Sequence, residues 1–228
     1  DWWENQSIDK GLNLGINQFY PEVETIGYLG YAPREFELQL SPTKCEKIQK
    51  ILPNKIAVIG KKIVNTIKEF DNDIDVILGP AFRYQYLWDI NKSSNQNQKK
   101  NILIALPITF QDSKNILNVF FEYYKINKLE YKVFIKLHPT MNASQIYNHF
   151  KQYMDNNISL VSSDNINEYI INADIVISAM SIVCLEALSL GIPTILIRRR
   201  SGLSFNPVPK DVPGDIFKIC NNYKELQK

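Results

Sequence analysis

The stretch from residue 172 to residue 197, NADIVISAMSIVCLEALSLGIPTILI, contains two short apolar runs separated by a segment of helical length. The runs DIVISA (174–179) and PTILI (193–197) predict strands that are buried on both faces. Between them, SIVCLEALSL (181–190) predicts a helix, and Gly191 is positioned to end it. A strand, a helix and a second strand in this order form the unit from which parallel sheets are built.

The same alternation extends through the rest of the second half of the chain. Further strands are predicted over the apolar runs NILIALP (101–107), YKVFIKLHP (131–139) and ISLVS (158–162). Helices are predicted over residues 112–127, 144–154 and 165–173. The predicted fold class is therefore α/β, with a Rossmann-like parallel sheet that helices cover on both faces.

The first half contains a shorter version of this pattern. A strand, a helix and a strand are predicted over KIAVIG (55–60), KKIVNTIKEF (61–70) and DVILGP (75–80). Residues 1–54 lack strong periodicity and predict loops with one helix over 41–52, for which Ser41 is the expected N-cap. This half therefore looks like the end of an incomplete first α/β domain.

A polar segment separates the two halves. The ten residues NKSSNQNQKK (91–100) include no apolar side chain, which predicts a solvated linker. We expect the end of an N-terminal α/β domain over 1–90 and a C-terminal Rossmann-like domain over 101–228. The chain begins with Asp1 and not with methionine, so we expect it to be a piece of a larger protein.

The composition excludes several classes of partner. The 26 basic and 24 acidic residues give a formal charge of only +2, which is too balanced for a nucleic-acid-binding protein. The three cysteines are far apart, so neither a disulfide framework nor a zinc cluster is expected. No apolar run approaches the roughly 18 to 20 residues of a membrane span. These features predict a cytoplasmic protein without a resident metal.

The carboxyl ends of the predicted strands are where a ligand is expected, since open parallel sheets bind ligands there. Ser178 ends one strand and Ser181 begins the next helix, so hydroxyls and unpaired N–H groups would converge and attract a phosphate. Glu186 follows in the same helix and could accept hydrogen bonds from a ribose diol. The alternative is that Ser181 only caps the helix and that Glu186 is a surface acid. The loop after the strand at 101–107 adds Pro107 and Thr109 to the candidates.

His138 is the second candidate for this edge. It follows a buried strand, Pro139 stiffens its turn, and Lys136 supplies a cation two residues earlier. We interpret these residues as a clamp for a nucleotide phosphate. The alternative is a loop histidine that a neighbouring carbonyl holds.

Two other clusters have structural and functional interpretations. The arginines at 198–200 follow a strand and favour a solvated basic turn over an anion site. The aromatic residues of the first half suit either a sugar-stacking wall or the packing of loops. They are Trp2, Trp3, Tyr20, Tyr28 and Tyr31.

Taken together, KLHP and NADIVISAMSIVCLEALSLGIPTI resemble the C-terminal domain of GT-B fold glycosyltransferases of bacterial surface polysaccharide synthesis. The resemblance covers roughly residues 101 to 220 and extends loosely into the first half. It implies that His138 contacts the phosphate or the cytosine side of a donor, that Ser178 and Ser181 contact the phosphate, and that Glu186 contacts the ribose. The His-Pro pair is similar to that of enzymes with cytidine-linked donors such as Kdo or sialic acid.

The resemblance also implies partners for the protein. The donor would be a nucleotide sugar used as a substrate, with no other cofactor and no metal, and the acceptor would be a glycan or a lipid-linked glycan. A lipid-linked acceptor would bring the full-length protein to the inner face of the membrane. The catalytic base of this family usually lies in the first domain, most of which we expect to lie outside this sequence. Asp9, Glu22 and Glu24 are therefore candidates by location alone.

Two other functions remain open from the sequence. A sugar-nucleotide 2-epimerase shares the fold and the helix that carries the glutamate, but it needs acid and base carboxylates in its cleft. A non-catalytic domain that binds a nucleotide without turnover is the third alternative, because no base can be assigned.

Overall fold

The computed structural model describes residues 2–33, 37–88, 100–127, 130–162, 165–179, 181–200, 202, 206–208, 212 and 214–227. The chain divides into two compact units, residues 1–88 and 89–228. The predicted linker at 91–100 lies outside the described residues, apart from Lys100. None of the helices in the described ranges has the length and apolar character that crossing a membrane requires.

The first unit is built on a three-stranded parallel sheet. Its strands, in the spatial order β1-β2-β3, are β1 (Ile26–Leu29), β2 (Lys55–Val58) and β3 (Val76–Leu78). Its α-helices are α1 (Ser7–Phe19), α2 (Lys44–Ile48) and α3 (Lys61–Ile67), with 3₁₀ turns at Leu38–Leu40 and Phe82–Leu87. The succession β2, α3, β3 confirms the strand, helix and strand predicted between residues 55 and 80.

The prediction of loops with one helix over residues 1–54 is wrong, because α1 and β1 also form there. Two glycines and several polar residues weaken the helical signal of α1. The carboxylate of Asp9 compensates at the helix start, where it accepts hydrogen bonds from the backbone N–H groups of Glu4 (3.0 Å) and Gln6 (2.9 Å). A helix with low propensity is thus stabilised by its cap.

The predicted N-cap of the helix near residue 41 is also corrected. The helix α2 begins at Lys44, and its N-cap is Thr43, which forms a reciprocal capping box with Glu46. Ser41 is buried instead, and its hydroxyl donates a 2.7 Å hydrogen bond to the carbonyl of Thr66.

The second unit is built on a six-stranded sheet in which all neighbouring strands are parallel. The strands are β4 (Asn101–Ala105), β5 (Lys132–Lys136), β6 (Ile158–Val161), β7 (Ile175–Ser178), β8 (Thr194–Ile197) and β9 (Phe217–Cys220). Its α-helices are α4 (Phe110–Ile126), α5 (Ala143–Phe150), α6 (Asn167–Ile171) and α7 (Ile182–Ser189), with 3₁₀ turns at Lys151–Tyr153 and Tyr223–Gln227. The α/β fold class with a Rossmann-like sheet is confirmed. Strand β9 is an addition to the predicted strands; it lies at the edge of the sheet, and Lys218 interrupts its apolar residues.

Helices cover both faces of this sheet. Ile104 and Ile135 belong to the apolar core that includes α4 and α5, whereas Leu103 and Val176 pack in the core that includes α6 and α7. Because successive strand residues point to opposite faces, the alternation fixes which side chains at the strand ends share a face.

The strand order is β6-β5-β4-β7-β8-β9, and it shows where along the sheet edge a ligand is expected. The chain moves outward from β4 to β5 and β6 on one side, and from β7 to β8 and β9 on the other. The strand order therefore reverses between β4 and β7, and the helices that follow these two strands, α4 and α7, begin at the same edge. Open parallel sheets bind their ligands at such a reversal point.

Candidate functional site

Three strand ends lie side by side at the reversal point. Ala105 of β4 pairs with Lys136 on one side and with Ser178 on the other. Ser178 is fully buried, and its hydroxyl donates a 3.4 Å hydrogen bond to the carbonyl of Ala105. The sequence candidates Lys136 and Ser178 are thus brought to one edge, where the Ser178 side chain supports the sheet from within.

Two helix N-termini face this edge. Thr109 is the N-cap of α4 and accepts a hydrogen bond from the N–H of Asp112 (3.3 Å), and Ser181 is the N-cap of α7 and accepts one from the N–H of Val183 (3.4 Å). The capping alternative for Ser181 is therefore observed. A cap satisfies only one of the unpaired N–H groups of a helix start, so the positive end of each dipole remains available to an anion. Pro107 lies half-buried in the loop that leads to Thr109.

His138 lies half-buried in a tight turn directly after β5. The N–H of Met141 closes the turn with a 2.9 Å hydrogen bond to the His138 carbonyl, and Pro139 occupies the position after the histidine. The imidazole Nδ1 lies 2.8 Å from the hydroxyl oxygen of Thr140 and accepts a hydrogen bond from the Thr140 N–H at 3.3 Å. The backbone N–H of Thr140 therefore holds the ring. The alternative interpretation, in which a neighbouring carbonyl holds it, is not what the structure shows.

This contact fixes the tautomer of His138. Because Nδ1 accepts from a backbone N–H, we assign the proton of the neutral ring to Nε2. Within the described part of the chain, no hydrogen bond is formed to Nε2. The ring thus offers one oriented N–H donor at the strand end. Thr140 was not predicted as a site residue, although its hydroxyl two residues after the histidine was the available signal.

Two buried charges accompany these groups. Lys136 shares the strand parity of Phe134, so it lies on the α6 and α7 side of the sheet, where its Nζ donates a 2.7 Å hydrogen bond to the carbonyl of Leu137. Glu186 is buried within α7, so the interpretation as a surface acid is wrong. A buried charge is costly unless a hydrogen bond or an opposite charge compensates it.

The cysteine in α7 contributes no nucleophile. Burial raises the pKa of the Cys184 thiol to about 12. The thiol therefore stays protonated at neutral pH and unreactive.

The arginines at 198–200 are tied to α4. Arg199 forms an ion pair with Asp112, Arg200 lies 3.9 Å from a carboxylate oxygen of Glu122, and the carbonyl of Arg198 accepts a 2.9 Å hydrogen bond from the side chain of Asn115. The three side chains are exposed, as predicted for a basic turn, but the turn is anchored and not free.

The first unit has a cavity of about 260 Å³ that contains two of the three candidate bases. Asp9 and Glu24 both line it, whereas Glu22 is exposed and is not among the lining residues. Asp9 is engaged as the cap of α1, and Glu24 forms a 2.6 Å ion pair with Lys55 and raises the pKa of that lysine. The cavity lies near the start of β1, opposite the edge at which parallel sheets usually bind ligands.

Some of the predicted aromatic residues form a cluster at the other end of β1. The ring of Trp2 stacks on Tyr31 with centroids 6.1 Å apart and meets the edge of Tyr28 at 5.9 Å. Trp3 is buried in the core of the unit, and Tyr20 is exposed. Phe82 was not predicted as part of this cluster, but its ring lies 6.0 Å from that of Tyr28.

The family of the chain is shown by its sequence. Residues 36–211, most of the chain, match the model of a family described as "putative O-antigen biosynthesis protein". The chain belongs to this family. No functionally curated protein matches it in sequence.

Solved structures with the same fold include enzymes that act on sugar nucleotides. The structure of UDP-GlcNAc 2-epimerase from Neisseria meningitidis bound to UDP-GlcNAc is 19% identical, with a TM-score of 0.55, and the match covers 85% of this chain but only 56% of the epimerase. The S. aureus MnaA-UDP co-structure is 14% identical, with a TM-score of 0.60 over 99% of this chain and 70% of that one. A glycosyltransferase from Rickettsia africae is 12% identical, with a TM-score of 0.55 over 96% and 69%.

These matches confirm the resemblance to GT-B enzymes of polysaccharide synthesis at the level of fold and family. At sequence identities of 12% to 19%, the structural likeness shows the fold but does not assign roles to individual residues. The chain spans little more than half the length of the Neisseria epimerase.

Proposed function

We propose that the protein is a GT-B glycosyltransferase of O-antigen synthesis and that the second unit binds its nucleotide-sugar donor. The supporting observation is that the N-termini of α4 and α7 and the His138 turn occupy one edge of the sheet around its reversal point. Each of these groups favours negative charge or donates a hydrogen bond.

Chemically, these groups suit the departure of a nucleotide. When the bond between the anomeric carbon and the donor phosphate breaks, negative charge develops on the phosphate oxygen. The dipoles of α4 and α7, the Nε2–H of His138 and the cation of Lys136 are the groups that would stabilise it. This proposal requires no metal. Glu186 would accept hydrogen bonds from the ribose, and the loop with Pro107 and Thr109 would line the phosphate site.

The catalytic base belongs to the first unit in this proposal. Its role is to take the proton of the acceptor hydroxyl as that oxygen attacks the sugar. Asp9, Glu22 and Glu24 remain the candidates. The side chain of Glu24 is 59% exposed, so its ion pair with Lys55 lies at the surface, whereas removing Asp9 would also uncap α1.

We propose a cytidine-linked donor, such as CMP-Kdo or CMP-sialic acid, because of the His-Pro turn. Uridine nucleotides are the competing class, since related folds have been solved with UDP or UDP-GlcNAc. The acceptor would be a surface glycan or its lipid-linked precursor, reached from the cytoplasm at the inner face of the membrane.

Calorimetric titration of the chain with CMP, UDP and GDP tests the site directly. We expect one base to be preferred, and transfer assays on the full-length protein with the matching sugar donors then test the reaction. A chain that binds none of the three nucleotides would contradict the proposal. Binding without any transfer would favour the non-catalytic alternative.

A 2-epimerase is the second candidate, because the Neisseria structure with this fold holds UDP-GlcNAc. Incubation of the full-length protein with UDP-GlcNAc alone separates the two functions. Formation of the C2 epimer without any acceptor would favour the epimerase.

A further inference from the structure

We propose that Arg199 is a positioning residue for the phosphate-binding start of α4. This inference rests on the proposed function, in which the loop before α4 faces the donor phosphate. Arg199 follows β8, and its Nη2 contacts Oδ2 of Asp112 in the first turn of α4. The same Oδ2 accepts a 2.6 Å hydrogen bond from the hydroxyl of Thr109, the N-cap of the helix.

These contacts form a chain of atoms from the end of β8 to the N-cap of α4. The N–H of Asp112 donates back to the Thr109 hydroxyl at 3.3 Å, so Thr109 and Asp112 hold each other reciprocally. The Asp112 side chain is only 14% exposed, whereas that of Arg199 is 43% exposed. The guanidinium therefore reaches a sheltered carboxylate, where an ion pair is stronger than between two exposed groups.

Charge gives a second reason for the role of Arg199. A helix N-terminus attracts a phosphate through its partial positive charge, but a carboxylate in the first turn competes for that charge and repels the phosphate. The positive charge of Arg199 offsets the negative charge of Asp112. Without it, the start of α4 would keep its cap and lose much of its attraction for an anion.

The backbone around Arg199 is also held in place. The side-chain amide of Asn115 donates a 2.9 Å hydrogen bond to the carbonyl of Arg198, which fixes the end of β8 on the second turn of α4. The backbone next to Arg199 is thus held in place, which limits where its guanidinium can lie.

Arg200 provides a matched control in the same run of arginines. Its Nη2 lies 3.9 Å from Oε1 of Glu122, and both side chains are exposed, at 56% and 46%. Glu122 lies several turns away from the N-cap of α4, so Arg200 offers the same charge without a contact to Asp112.

The experiment compares R199M, R199K and R200M in the whole chain. Calorimetry measures the affinity for CMP and UDP and for the nucleosides cytidine and uridine, and urea unfolding measures stability. We expect R199M to weaken binding of the preferred nucleotide about fivefold to thirtyfold, the usual scale for coupled contacts, and to leave nucleoside binding within about twofold. R199K should recover most of the loss, because it keeps the charge. R200M should resemble the unmodified chain.

The comparison of nucleotide with nucleoside separates positioning from general damage. An equal loss of both affinities in R199M, or an equal effect of R199M and R200M, would overturn the role of Arg199. The variant H138A is included to test the proposed function independently. If H138A loses nucleotide affinity and R199M does not, only the inference about Arg199 fails. If the unmodified chain binds no nucleotide, both fail.

Discussion

Replacing His138 by alanine tests the phosphate contact at a single side chain. The ring is held by Thr140 in a turn at the sheet edge and contributes little to the core, so unfolding should change little. We expect nucleotide affinity to fall about tenfold to a hundredfold, the cost of losing a hydrogen bond to a charged group. Calorimetry and thermal unfolding of H138A measure the two effects.

The only other histidine of the chain is the control for this test. His149 lies in α5, where its ring contacts Phe110 at 5.8 Å and Phe150 at 4.8 Å. H149A should lower the melting temperature modestly and leave nucleotide binding unchanged. The opposite pattern, in which H138A loses stability and keeps its affinity, would show that His138 is structural.

Glu186 can be tested through the sugar of the nucleotide. If its carboxylate accepts hydrogen bonds from the ribose diol, the chain should bind a ribonucleotide more tightly than the 2′-deoxy form. The variant E186Q should reduce that preference by about fivefold or more, since an amide is a weaker acceptor than a carboxylate. The ratio of CMP to dCMP affinity, or of UMP to dUMP, measures the effect within one protein and cancels any loss of stability. An unchanged ratio would remove Glu186 from the site.

The individual residues of the edge were only partly predictable from sequence. His138 and Ser181 stand out because each follows an apolar run and lies next to a turn. The pairing of Asp112 with Arg199 was not predictable, because the two residues are 87 positions apart and meet only when β8 lies beside α4. The burial of Glu186 was also not predictable, because α7 is apolar on most sides and the sequence does not show which side faces the sheet.

At the scale of elements, α7 shows how a local signal fixes a helix end. Gly191 has a φ of +68°. Its N–H donates a 2.9 Å hydrogen bond to the carbonyl of Leu188, and the N–H of Ile192 donates a 2.9 Å hydrogen bond to the carbonyl of Ala187. These two bonds form a Schellman motif, as the predicted glycine stop requires.

The substitution G191A should therefore destabilise the protein through the backbone alone. No atom lies within 4 Å of an added Cβ, so the cost is that of a left-handed conformation, about 1 kcal/mol. Urea unfolding followed by circular dichroism measures it. G214A is the control, because this glycine is equally open and its φ is outside the left-handed region; it should change stability by less than about 0.5 kcal/mol. Equal effects of the two substitutions would contradict this explanation.

Most elements of the second unit were predictable because strands buried on both faces produce uninterrupted apolar runs. The elements that were missed lack that signal. Strand β9 lies at the edge of its sheet and needs less apolar surface, and α1 depends on the hydrogen bonds of Asp9 to begin. The contributions of a cap and of a neighbouring strand are visible only once the chain is folded.

At the scale of the whole molecule, the two units carry separate probes. All three tryptophans, Trp2, Trp3 and Trp88, lie in the first unit. The two buried cysteines, Cys184 and Cys220, lie in the second, on opposite sides of its sheet. Tryptophan fluorescence therefore reports the first unit, and thiol accessibility reports the second.

We expect the first unit to unfold before the second. It has 88 residues around three strands, and a smaller unit buries a smaller fraction of its surface. In a C45S variant, which removes the exposed thiol, the fluorescence midpoint in urea should precede the midpoint of thiol labelling. Cys184 should resist labelling until the second unit opens, because burial protects the thiol and raises its pKa to about 12. Coincident transitions would instead mean that the two units unfold as one cooperative body, and a substitution in either unit would then alter both signals.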